Sequence, residues 1–594
     1  MKNFKKIISV LLAVVMLTTS LVVTSTAAEA DLSSAYVADY DTETPVIIVH
    51  GMSQNNTYLL DENGEWAKNG DKYITGWPLN IDIGALLKTA LPSLLASIIF
   101  RRDCGISDAI YNAAFEALSV IVKDKDGKYV NNIEVPCYEC PMSELPAEVK
   151  EEYYKFLPIQ ELGQIVGEDK VYYFGYDSLG DVIYETDKLN KYIHEVVIPQ
   201  TGSDKIKICA ISQGGTIAVN YLDTYPEDYN IIEKMVFVVP AIDGSDIIGD
   251  LLTKNLSVFY SDEDLYQNLL VNLLGETPLA YILNIVLRIL PEDVLKATLN
   301  GLLEGLIDVA VRPNSMIWAL CPTEYYPKAR EMWLTDDYAV IRDQVDRFMK
   351  SRANFEKNLY TLMDTGCKAY DVACYDVNLF PLCKNYKTKN ADRVIHAASP
   401  SMGATFADLG TTLGENYVAK GTYCNNPEHN HLSPDGVVDA TTGLLPCTTW
   451  YFKGQAHEQL PNNDVALKLS IRIMTDNNMI DVYSNPDAYP QFNNSRLTNT
   501  VKEYMEAWEE ADKTFIPYNK GKAVENAIEN VNALLEETVI DAEKWENAEK
   551  ALGNALYAAG VISNPNPTIF DKFFTLSAKT ANQCVNKVYS AFDK

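Results

Sequence analysis

Short apolar runs separated by longer stretches of helical spacing set the pattern of the first half of the chain. Thr44-Pro45 leads into Val46-Ile47-Ile48-Val49 and then His50-Gly51, which predicts a buried parallel strand closed by a loop. Residues 83–123 are strongly apolar with a helical pattern. Val171-Tyr172-Tyr173-Phe174 predicts a second strand, Ile206-Lys207-Ile208-Cys209 a third and Met235-Val236-Phe237-Val238-Val239 a fourth. Between them, residues 182–197 and 214–225 have helical spacing. Strands alternating with helices predict an α/β fold on a mostly parallel sheet.

The pattern changes after Pro240. From about Ser245 to Asp392 it predicts helices and few strands. Two apolar runs there, Ala280 to Leu290 and Val294 to Val311, must pack together or cover something to stay out of water. The α/β pattern returns near Asp392 and runs to about Pro490. In the tail, Val524, Ile528, Val531 and Leu535 share one helical face, and Trp545, Ala548, Leu552 and Leu556 share another, which predicts an antiparallel helical pair. These breaks divide the chain into 1–30, 31–244, 245–391, 392–505 and 506–594.

The first segment reads as an address. Lys2, Lys5 and Lys6 precede an apolar core from Ile7 to Leu17, and Ala28-Glu29-Ala30 fits a cleavage site before Asp31; cleavage after Ala27 also fits. The pattern is that of a bacterial export signal, with an uncleaved anchor helix as the alternative because the apolar run continues through Leu21-Val22-Val23. An exported, extracellular or cell-surface protein is expected. The 50 Lys and Arg against 81 Asp and Glu give a net charge of −31, which argues against nucleic acid or an anionic membrane as the main partner. The 11 cysteines are an odd number, and a mixture of disulfides and free thiols is expected. Cys137 and Cys140 form a lone C-x-x-C, which with no second such pair and no suitable His pair points to no metal site.

The chemistry concentrates after the third strand. In Lys205-Ile-Lys-Ile-Cys-Ala-Ile-Ser-Gln-Gly-Gly215, a strand runs into small residue, x, Ser, x, Gly and then a helix. A serine on such a turn projects its hydroxyl above the sheet, and the tightness of the turn requires small flanking residues, here Ala210 and Gly214. The helix that follows aims its N-terminus at the site, where the Gln213 N–H can donate to an oxyanion. A serine hydroxyl needs an imidazole to take its proton and a carboxylate to orient that imidazole. Of six histidines, His457 in Gly454-Gln-Ala-His457 follows Ser212 in a suitable setting. His429 and His431 lie in a polar Asn/Pro loop.

These residues resemble the α/β-hydrolase superfamily, in particular secreted bacterial lipases and esterases. The resemblance covers roughly residues 44–245 and 392–485, with Ala210 where the first Gly of the motif is commoner. It implies that the loop at His50-Gly51 supplies a second oxyanion N–H, from Met52, and that His50 shapes the loop. It also implies an acid between serine and histidine. Asp435, in an Asp-Gly-x-Val turn about twenty residues before His457, resembles the acid loop of secreted bacterial lipases; Asp439 and Asp243 are the alternatives. Tyr173-Phe-Gly-Tyr-Asp177 and Ser315-Met-Ile-Trp-Ala-Leu-Cys-Pro322 are similar to segments of the lecithin–cholesterol acyltransferase and lysosomal phospholipase group. Residues 245–391 then correspond to a helical cap or lid, with residues 279–311 as groove wall and shield, and the tail to a docking module for a cell surface or a protein. The expected activity is ester hydrolysis by Ser212, His457 and Asp435 on a lipid-like acyl ester, without a cofactor. The alternatives are a carbohydrate esterase or amidase on the same triad, or a non-catalytic binding protein on the same scaffold.

Overall fold

Seven strands lie side by side in one sheet in the computed structural model. They are β1 (Val46–Val49), β2 (Val171–Phe174), β3 (Ile206–Ile211), β4 (Ile232–Val238), β5 (Lys368–Tyr375), β6 (Thr449–Lys453) and β7 (Phe492–Asn493). The structure describes residues 36–70, 72–78, 83–268, 278–493, 499–509, 516–535 and 542–562, with a few single residues besides. The expected export signal, 1–30, lies outside them. Across the sheet the order is β7-β6-β5-β4-β3-β1-β2, and every pairing is parallel. The chain is therefore an α/β protein with a large parallel sheet.

Both faces of the sheet are covered, which is why β1 is apolar at every position and not at alternate ones. Ile47 and Val49 pack with Phe174, Ile208 and Ala210 in one core, while Val46 and Ile48 pack with Tyr173, Cys209 and Val236 in another. Three helices complete the part that matters for the site: α1 (Val182–Lys191), α2 (Gly214–Thr224) and α3 (Asp464–Thr475). Asp181 caps α1 by accepting from the Ile183 N–H, and Asn463 caps α3 by accepting from Val465 and Ala466.

The sheet resumes earlier than the hydropathy pattern indicates. β5 lies within residues 245–391, where helices and few strands are expected. Its sequence, Lys-Ala-Tyr-Asp-Val-Ala-Cys-Tyr, breaks the apolar run with Lys368 and Asp371. Asp371 is fully buried, and burial pushes its carboxyl well above the ordinary carboxylate value, which favours the neutral acid and makes it tolerable in a central strand. Smaller antiparallel pieces surround the main sheet, the largest joining Thr57–Leu59 to Thr75–Trp77 and Ile133–Glu134.

The rest of the insertion is helical and builds a core of its own. The helix Glu292–Leu306 packs against Ile106–Ala117. Gly301 and Gly305 make the approach possible, since a side chain at either would press on the backbone oxygens of Ser107 and Tyr111. In the tail, Tyr518–Leu535 and Ala542–Ala559 pack together with Asn499–Glu509 through Val501, Trp508, Val524, Val531, Trp545, Leu552 and Leu556. Among the described residues no helix is long and apolar enough to cross a membrane. The ten described cysteines, Cys137 and Cys140 included, are all free thiols where some disulfides are expected.

Candidate active site

In a parallel sheet every strand ends at the same edge, so loops far apart in sequence meet there. β1 ends at His50-Gly51, β3 at Ser212 and β6 just before His457, while Asn390–Ala391, paired with Val377–Asn378 beyond the end of β5, leads into Asp392.

Ser212 sits on a sharp turn. Its φ is +51°, in the left-handed region, and its N–H donates to the Val238 oxygen at 2.9 Å. Its own carbonyl accepts from Gly215 and Ala241. The turn lies so close to β1 that a Cβ at Gly214 would collide with the Val49 carbonyl. This is the physical reason for the small residue after the serine. α2 begins at Gly214, so the Gln213 N–H belongs to the helix end whose amides lack acceptors within the helix. The Gln213 side chain is anchored on the far side, donating to the Ser178 oxygen at 3.0 Å.

His457 connects the turn to a carboxylate. Its Nε2 is 2.8 Å from Ser212 Oγ, and its Nδ1 is 2.7 Å from Asp392 Oδ2. Its backbone N–H donates to the Asp392 carbonyl at 2.8 Å, so main chain and side chain are held by the same residue. Asp392 is fully buried, and its other oxygen, Oδ1, accepts from the N–H groups of Val394 and Ile395 at 3.0 and 2.7 Å. That turn fixes which oxygen faces the imidazole. Burial pulls the His457 pKa down, but the charge of Asp392 and its hydrogen bond more than offset this, and the imidazole titrates above its ordinary value.

Asp435 is not the partner of His457. Its carboxylate accepts from Ser433 Oγ and, at 3.0 Å, from Tyr375 OH, and it lies 2.9 Å from Lys453 Nζ. Asp439 is equally occupied, by Tyr417 OH at 2.7 Å and the Lys420 N–H at 3.0 Å. Asp243 accepts from the Thr323 N–H and hydroxyl. All three carboxylates stabilise loops. The structure thus brings Ser212 and His457 together as the sequence indicates and puts Asp392 where Asp435 is expected. The Asp-Gly-x-Val turn around Asp435 is a local turn motif, and such a turn forms wherever it falls.

Met52 and Gln213 both border the cavity that reaches Ser212 and His457. His50 does not. It is fully buried between Tyr173 and Tyr176, with ring centroids 5.6 and 4.0 Å away. Its Nδ1 lies 2.6 Å from the Gly51 oxygen, and burial pushes its pKa down to about 3, so it shapes the loop as a neutral ring.

The cavity is walled mainly by carbon. Ile211, Val238, Leu460, Ile471 and Met474 line it, and Ile247, Ile248 and Leu320 contribute from the insertion. The insertion therefore does meet the site, but through residues 245, 247–248 and 320. Among the described residues, none of 279–311, expected as wall and shield, borders this cavity; Glu292–Leu306 packs on Ile106–Ala117, and Pro278–Ile289 packs against Asp264–Asn268. Glu458, next to the histidine, is the one acid among the described lining residues, and burial pushes its carboxyl up.

No family model matches the sequence, and a search of curated proteins finds no relative.

Proposed function

We propose that this chain is an exported serine hydrolase of the α/β-hydrolase type that cleaves carboxylic esters with a long apolar acyl group. The observation that carries the reading is the line of hydrogen bonds from Ser212 Oγ through His457 to Asp392 beside a carbon-walled cavity. In the reaction, Ser212 Oγ attacks the ester carbonyl carbon while His457 Nε2 takes its proton. The carbonyl oxygen becomes an anion, which the N–H groups of Gln213 and Met52 hold. As the tetrahedral species collapses, His457 returns the proton to the leaving alcohol and an acyl-serine remains. Water, deprotonated by His457, then releases the acid. Asp392 orients His457 through Nδ1 and stabilises the imidazolium. An amidase on the same triad needs the same steps, and the apolar cavity favours an acyl ester over an acetylated sugar. The tail suits docking to a cell surface or another protein.

A series of nitrophenyl esters from acetate to laurate tests the acyl preference. Each buried methylene is worth about 0.8 kcal/mol, so kcat/KM should rise by up to about fifteenfold for every two carbons until the cavity is filled. Acetate as the best substrate would overturn the lipid-like reading and leave the triad standing.

The pH profile follows from His457. Only the neutral imidazole can accept the serine proton, so activity falls as pH drops through the pKa of that group. Because Asp392 raises that pKa, the acid limb of kcat/KM should lie above the ordinary histidine value of about 6.5. A limb well below that value would mean that the charge of Asp392 is not felt at the imidazole.

A further inference from the structure

We propose that Cys424, His429, His431 and Cys447 form a structural zinc site, separate from the hydrolytic centre. The four side chains converge from a polar loop and from the turn that precedes β6, with their ligand atoms all within 4.8 Å of one another. The pairwise distances fit a shared ion. A tetrahedral zinc with Zn–S of about 2.3 Å and Zn–N of about 2.05 Å holds sulfur and nitrogen about 3.6 Å apart. Cys424 Sγ to His429 Nδ1 is 3.5 Å, Cys447 Sγ to His429 Nδ1 is 3.7 Å and Cys447 Sγ to His431 Nε2 is 3.6 Å.

A hydrogen-bond network outside the four ligands selects the right tautomer. The Gln491 amide nitrogen donates to the carbonyls of Pro446 and Thr449, at 2.8 and 3.1 Å. Its oxygen must therefore face His431 Nδ1, 2.9 Å away, and can only accept. His431 is thus protonated on Nδ1 and turns the lone pair of Nε2 toward the two thiols. This is the outer-shell arrangement that orients zinc-bound histidines. Tyr483 closes the site, with its ring 4.8 Å from that of His429 and its hydroxyl 3.5 Å from His431 Nε2. Two sulfurs and two imidazoles in a tetrahedral set favour zinc over calcium or magnesium, which prefer oxygen. Two thiolates balance the dication, so binding releases up to two protons and buries no net charge.

The place explains the need. Residues 408–430 have little regular structure and are mostly exposed. The apolar cluster beneath them is made largely of alanines and valines, among them Ala404, Ala407, Val437 and Val438. A metal cross-link would tie this loop to the start of β6, the strand that delivers His457. The spacing, Cys-x4-His-x-His and then a distant Cys, is neither C-x-x-C nor the common His pair, and only the fold brings the fourth ligand in.

The full-length protein, purified without chelator, should contain one zinc per chain by elemental analysis. After removal with EDTA, titration with cobalt(II) should give thiolate-to-cobalt charge transfer and intense tetrahedral bands that saturate at one equivalent. Cys447→Ser and His429→Ala should each lose the stoichiometric metal, whereas Cys137→Ser should keep it. If the first two fail to fold, the cobalt spectrum of the wild-type protein still decides. A folded protein with no bound metal and no tetrahedral cobalt spectrum would overturn the proposal. A Cys424–Cys447 disulfide in a peptide map of the native protein would overturn it as well. None of these readouts depends on esterase activity, so the two proposals fail separately.

Discussion

Asp392→Asn is expected to lower kcat/KM for an ester substrate by about 10⁴-fold, while Asp435→Asn leaves it within a few-fold of wild type. The asymmetry comes from the turn that holds the acid. The N–H groups of Val394 and Ile395 donate to Asp392 Oδ1, so an asparagine there must keep its carbonyl oxygen on that side. Its NH2 group then faces His457 Nδ1 and donates to it. The imidazole is driven to carry its proton on Nε2, where it can no longer accept one from Ser212. Fold and packing are unchanged, so circular dichroism should match wild type while activity collapses. At 435 the same change weakens only the contacts to Lys453, Ser433 and Tyr375, and any cost falls on stability. A large loss at 435 with little at 392 would reverse the assignment of the acid.

Ser212→Ala carries a larger expected effect, a loss of about 10⁶-fold in kcat. Alanine is small enough for the turn, which already accommodates a side chain at φ +51°, so the variant should fold. What remains should be the slow attack of water on an ester held by the oxyanion donors, with no acyl-enzyme and no burst of nitrophenol. A variant that kept substantial turnover would place the nucleophile elsewhere.

The parts of the site that sequence reveals are those in which one local segment carries the whole constraint. Ser212 is readable because its strand, its small neighbours and its helix are contiguous, and because Gly214 has no room for a Cβ beside Val49. His457 is readable because few histidines exist to choose from. Met52 is expected only from the family resemblance, and it borders the cavity. Asp392 was hidden by a different kind of constraint. It lies past a strand, Lys368–Tyr375, whose Lys368 and buried Asp371 disguise a central position as a polar one. With that strand unread, the α/β pattern resumes only at Asp392 and the residue reads as a boundary. Only the parallel pairing of Asp371 with Thr449 and of Tyr375 with Lys453 puts the ends of the two strands side by side and so brings Asp392 to His457. The Cys424, His429, His431 and Cys447 cluster was hidden for the same reason, since Cys447 reaches the loop through tertiary structure alone. The apolar runs at 279–311 gave the opposite difficulty. Their composition suits a lid or a core equally well, and only the fold shows that Gly301 and Gly305 let the helix 292–306 pack closely against Ile106–Ala117.

The central claim is that Ser212 is an activated nucleophile, and a fluorophosphonate probe addresses it directly. The native protein should be labelled at one site per chain, with the adduct located on the Ser212 peptide by mass spectrometry, and the Ser212→Ala variant should take up none. Folded native protein that resists the probe, or an adduct on another residue, would contradict the account.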